Sequence, residues 1–191
     1  MLQSLSILVL GAGLAVWMLT ASTSTPLFIL CAIIIHEAGH LCAAYLLHMK
    51  PSGAAADTIG IRLLFRGAPP PYGKEILLCA AGPLANLLSL AIGLAAGFPS
   101  DNVFLSVSAA LALLNLLPIE GFDGGRMVHS TLLLCLPPSR ADKVCELLSF
   151  FFLFVLWCIS VYLMMRVGNQ LSLFFFSTAI FFRIFLQKKP L

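Results

Sequence analysis

Long stretches without a charged residue alternate with short polar breaks along this chain. Asp, Glu, Lys and Arg are missing from residues 1–35, 76–100, 102–119, 127–138, 147–165 and 167–182. With their flanks, these runs approach or exceed the roughly 17–25 residues that carry an α-helix across the hydrocarbon core of a bilayer. The pattern predicts an all-α membrane protein with about six transmembrane helices, at about 4–20, 26–47, 74–97, 103–117, 144–165 and 169–186. Residues 124–136 extend or follow the fourth. Between the second and third spans the period changes: Ile59, Ile61, Leu63 and Phe65 recur at every second position of 58–66, which is the period of a strand.

Composition agrees with that reading. Of 191 residues, 60% are hydrophobic and 10% charged, more apolar than a watery surface allows. Threading six spans collects Lys50, Arg62, Arg66, Lys74, Arg126, Arg140, Lys143, Arg183, Lys188 and Lys189 on one side and leaves Arg166 opposite. By the positive-inside rule both termini face the cytoplasm. The net charge of +3 therefore reports topology and contact with anionic lipid, and no basic block resembles a nucleic-acid footprint. The first span is read as an uncleaved anchor: Thr20-Ala21-Ser22 offers small residues, but no Lys or Arg precedes the run as in a signal peptide. The six cysteines, Cys31, Cys42, Cys79, Cys135, Cys145 and Cys158, show no CxxC pairing and read as small buried residues. With no internal repeat or low-complexity tract, residues 1–191 form a single polytopic membrane unit.

Against this apolar background, three ionisable groups stand in five residues of the second span: His36-Glu37-Ala38-Gly39-His40. Residues four apart share a helix face, so His36 and His40 can present two imidazole nitrogens to one ion. Glu37 can reach a water there as general base. Charge inside a membrane is costly, which favours a function over chance. A catalytic zinc site takes three protein ligands, so one more must come from elsewhere. His48, His129, Asp57, Asp101, Asp142 and Glu146 sit in loops or flanks or are isolated. Asp123 lies in Asn115-Leu116-Leu117-Pro118-Ile119-Glu120-Gly121-Phe122-Asp123-Gly124-Gly125, where Pro118 and three glycines break the helix. Irregular backbone at membrane depth is tolerated where it lines a wet, protein-enclosed cavity. The same segment reads equally as an Asp-Gly turn between two helices.

HEAGH at 36–40, AGPLAN at 81–86 and NLLPIEGFDGG at 115–125 together resemble the site-2 protease family of intramembrane zinc metalloproteases, in that family's order and over most of the chain. The pattern is closest to the bacterial stage IV sporulation FB-type branch. The resemblance implies His36, His40 and Asp123 as ligands of one Zn2+ per chain and Glu37 as the catalytic base. Asn115 and Pro118 match the NxxP part, near where the family holds substrate. Glu120 is an added carboxylate where relatives often have an uncharged residue. The resemblance also implies a short re-entrant β-like element between the second and third helices, whose edge, including Gly60, can pair with an unwound substrate. No PDZ or CBS domain of the kind attached to many relatives is read in the chain. Asn86, inside the third span, is costly unless satisfied and serves either to orient a site residue or to hold the substrate.

The expected function is cleavage of transmembrane or membrane-adjacent segments of a single-span membrane protein, such as a transcription-factor precursor or an anti-sigma factor. Segments that unwind at Gly, Pro or Asn are the favoured substrates. A divalent-metal transporter built on the same three ligands and an inactive substrate-binding scaffold are the rival readings.

Overall fold

The computed structural model describes residues 25–49, 51–57, 60–65, 70–167, 174 and 177–181. Among the described residues five helices are delimited, joined in one place by a pair of short strands: α1 (Thr25–Leu46), β1 (Pro51–Asp57), β2 (Gly60–Phe65), α2 (Tyr72–Ala95), α3 (Val103–Asn115), α4 (Asp123–Leu133) and α5 (Pro138–Val167). The span read at 4–20 lies outside the described residues, and so does most of that at 169–186, of which 177–181 are helical.

Helix boundaries follow local chemistry. Pro26 occupies the first turn of α1, where its missing N–H costs nothing. Pro71 precedes α2 as its cap residue. Asn102 caps α3 by accepting a hydrogen bond from the Phe104 N–H at 2.9 Å. Asp123 opens α4, placing a carboxylate at the positive end of the helix dipole.

Helices α1, α2 and α5 are long and apolar enough to cross a membrane. They mark the chain as an integral membrane protein. Helix α3, with 13 residues, covers about 20 Å at 1.5 Å per residue, short of a full crossing. Residues 124–136 do not prolong it, because the Pro118–Phe122 loop intervenes and α4 starts afresh at Asp123. The alternation read at 58–66 falls on β2. Its antiparallel partner is β1, with Ala54 opposite Leu63, Asp57 opposite Gly60, and an irregularity between Pro51 and Gly53.

Side chains are distributed inside out relative to a water-soluble bundle. Leu27, Ile34, Leu41, Leu84, Leu88 and Phe151 face outward, while Asn86, Ser108, Ser130, Ser149 and Ser160 are buried. This is the arrangement lipid favours, because apolar surface gains nothing by leaving hydrocarbon while small and polar residues allow close helix contact. The contact of α1 with α2 shows how close: a Cβ added at Gly39 would stand 2.5 Å from the Ala81 carbonyl oxygen and 2.8 Å from Ala85 Cβ. Helix α2 also packs on α3 and α4, so it forms the backing of the bundle.

A second cluster fixes the loop between α3 and α4. Ile119 and Phe122 pack with Leu153 of α5 and with Ile180. Ser149 of α5 ties the same loop by hydrogen bonds, accepting from the Glu120 N–H at 2.9 Å and donating to the Pro118 carbonyl at 3.5 Å. Gly121 takes φ +99°, a left-handed turn that costs glycine little.

Candidate metal centre

Helix α1 delivers His36 and His40 to one side a single turn apart. Their rings meet edge to face, with centroids 4.8 Å apart and planes at 84°. The third member arrives from the start of α4, 87 positions after His36. Asp123 Oδ2 lies 3.0 Å from His36 Nε2 and 3.2 Å from His40 Nε2, and the two ring nitrogens are 3.2 Å from one another. All three groups are largely withdrawn from solvent, and His36 and Asp123 are only 6% and 8% exposed.

Two close approaches bring Asp123 into place. A Cβ on Gly124 would collide with the Leu116 carbonyl, and one on Gly125 with the Ile119 carbonyl. The first turn of α4 can therefore nest against the loop that precedes it only because both residues lack side chains. Three residues past Asp123, Arg126 Nη2 donates to Glu75 Oε1 at 3.1 Å, which ties α4 to α2. Glu120 points elsewhere: it is exposed, and its backbone is held by Ser149.

The chemistry of the donor set fits a metal ion. His40 Nδ1 donates to the Leu78 carbonyl at 2.8 Å, so in the neutral ring the lone pair resides on Nε2, which faces the other two groups. Two imidazole nitrogens and a carboxylate converging on one point are a ligand set that zinc accepts. The supporting carbonyl on His40 is the usual outer partner of a metal-bound histidine.

Helix α2 leaves room for this cluster through one missing side chain. A Cβ on Gly82 would run into His40 Nε2 and lie 2.8 Å from His36 Cε1. Gly82→Ala is therefore expected to push the His40 ring off its position. Forcing extra volume into a packed site costs about 1–3 kcal/mol, equivalent to roughly 5- to 150-fold weaker metal binding. Competition with a chromophoric chelator measures it.

The other sequence-identified residues are spread around this centre. Glu37 is half-buried on α1 beside His36 and makes no hydrogen bond or ion pair with another described residue. Asn86 is buried on α2, with Nδ2 3.3 Å from His36 Nδ1. Asn115 turns back on its own helix, donating to the Leu111 carbonyl at 3.0 Å, and Pro118 sits in the loop tied to Ser149. Gly60 begins β2, away from the cluster in sequence and opposite Asp57. His48 is exposed, and His129 pairs with Asp142 at 2.8 Å, so neither joins the His36–His40–Asp123 group. The sequence did not single out Leu78, Gly82 or Ser149 as site residues. A backbone carbonyl leaves no trace in residue type, and Gly82 and Ser149 matter only through approaches between distant helices.

No protein-family model matches the sequence, and no curated protein matches it significantly. Among solved structures, the chain is similar to the site-2 protease from Methanocaldococcus jannaschii. The superposition has a TM-score of 0.62 at 18% identity and covers 97% of this chain and 88% of that one. The two share a fold.

Proposed function

We propose that this protein is an intramembrane zinc metalloendopeptidase of the site-2 protease type, and of the stage IV sporulation FB-type branch within it. The observation that carries the reading is the convergence of His36, His40 and Asp123, with a carboxylate, Glu37, on the same helix as the two histidines. The shared fold with a site-2 protease supports it independently of the motif.

His36, His40 and Asp123 are the residues to hold the ion. A bound zinc supplies Lewis acidity, bringing a water toward a pKa of about 7 and polarising the scissile carbonyl. Glu37 acts as general base: a carboxylate oxygen takes the proton from the attacking water and returns it to the leaving amine. The Leu78 carbonyl keeps the His40 proton on Nδ1 throughout. Asn115, Pro118 and Gly60 serve substrate binding, with the β2 edge pairing to an unwound segment.

The substrate class is a single-span membrane protein, such as a transcription-factor precursor or anti-sigma factor, cut near the cytoplasmic face. The enzyme is one unit over 1–191, with about six spans, a re-entrant hairpin and both termini in the cytoplasm.

Detergent-purified protein is expected to carry about one zinc per chain by elemental mass spectrometry. In proteoliposomes it is expected to cleave a single-span reporter with a Gly- or Pro-containing segment, to stop on chelation, and to recover with added zinc. Zinc flux without any peptide cleavage would instead identify a transporter.

A further inference from the structure

Asn86 is fully buried, and its two amide ends are treated unequally: Nδ2 faces His36 Nδ1 at 3.3 Å, while Oδ1 has no hydrogen-bond partner among the described residues. A buried amide oxygen left unpaired costs about 1–3 kcal/mol. The oxygen and nitrogen of a carboxamide are nearly the same size, and a half-turn about its last bond exchanges them.

The two orientations have different consequences for His36. With Nδ2 toward the ring, the amide donates and Nδ1 accepts, so the proton of the neutral ring sits on Nε2 and is given to Asp123 Oδ2. With Oδ1 toward the ring, Nδ1–H donates to the amide, and Nε2 turns a lone pair toward His40 and Asp123. Only the second tautomer makes His36 a ligand through Nε2.

We infer that Asn86 is a positioning residue: a half-turn of its carboxamide lets it accept the Nδ1 proton of His36 and hold that ring in the metal-ligating tautomer. The inference rests on the metal site proposed above. It explains why an amide stands here. Asparagine satisfies Nδ1 in either tautomer, an aspartate satisfies only the ligating one, and an apolar residue satisfies neither. The two histidines are thus held differently. His40 faces a backbone carbonyl, which can only accept, and has one tautomer. His36 faces a group that works both ways.

The test uses the full chain in detergent, with zinc affinity measured against a competing chelator and histidine tautomers read by nitrogen NMR. Zinc loading is expected to move one ring from the Nε2–H to the Nδ1–H form, while a second ring stays Nδ1–H throughout. Asn86→Leu is expected to weaken zinc binding roughly 10- to 100-fold, the usual cost of losing a ligand's supporting hydrogen bond. Asn86→Asp is expected to restore it to within about threefold of wild type, since its carboxylate accepts the same proton. If Asn86→Leu does not fold, Asn86→Ala is read in its place.

A folded Leu or Ala variant binding zinc within about twofold of wild type overturns the inference. So does a wild-type His36 ring that keeps its tautomer on loading. Equal loss in the Asp and Leu variants assigns Asn86 to packing and overturns it as well. A wild type that takes up no zinc removes the metal site itself, which is a distinguishable failure.

Discussion

Glu37→Gln is expected to keep its zinc and lose cleavage by roughly 100- to 10,000-fold, the range that removal of a general base produces. Glutamine is close to glutamate in size and shape but cannot take a proton at neutral pH. Glu37 makes no hydrogen bond or ion pair with another described residue and acts on the ligands only as a charge near His40, so the substitution leaves the three donor groups in place. Metal content and thermal stability should therefore match wild type, and only turnover of a single-span reporter should fall. Cleavage within about threefold of wild type would rule out Glu37 as the base. Loss of zinc together with activity would instead make it part of the binding site.

Asp123→Ala is expected to lose both zinc and cleavage. Its Oδ2 atom lies within 3.2 Å of both histidine nitrogens, so its removal leaves two ligands where a catalytic site needs three. The loss should exceed the roughly 10- to 100-fold that a missing supporting hydrogen bond costs. Asp123 also opens α4, where a negative charge contributes about 0.3–1 kcal/mol through the helix dipole. Asp123→Asn provides the control: it keeps the size and one carbonyl oxygen while giving up the charge, and it should bind zinc poorly while remaining folded. One zinc per chain in either variant would contradict the assigned ligand set. The exposed Glu120 would then be the next carboxylate to remove.

The difference between what was legible in the sequence and what was not follows from the range of each interaction. His36, Glu37 and His40 could be read because helix geometry alone puts residues four apart on one face. Asp123 was legible because Pro118 and the glycines announce a break, and their role proves to be spatial, since Gly124 and Gly125 let the helix start fold against Leu116 and Ile119. The partner strand β1 was not foreseen: Pro51-Ser52-Gly53-Ala54-Ala55-Ala56-Asp57 shows no apolar alternation, and only pairing with β2 makes it a strand. The fourth apolar run was read through Leu117, but the helix stops at Asn115, because uncharged composition does not reveal where the chain must turn. Gly82 stands in the sequence only as one letter of the AGPLAN run. Its neighbour proves to be the His40 ring, a contact across 42 positions that no local pattern carries.

The separation of 87 positions between His36 and Asp123 also bears on how the molecule is made. Chains leave the ribosome at about 5–20 residues per second, so roughly 4–17 seconds pass between synthesis of these two residues. During that interval the growing chain holds two histidines and a glutamate in the bilayer without the aspartate that completes the set. A nascent or truncated chain ending before α4 therefore lacks the third member of the group, and the proposed metal site can form only after the hairpin and two further helices have been made.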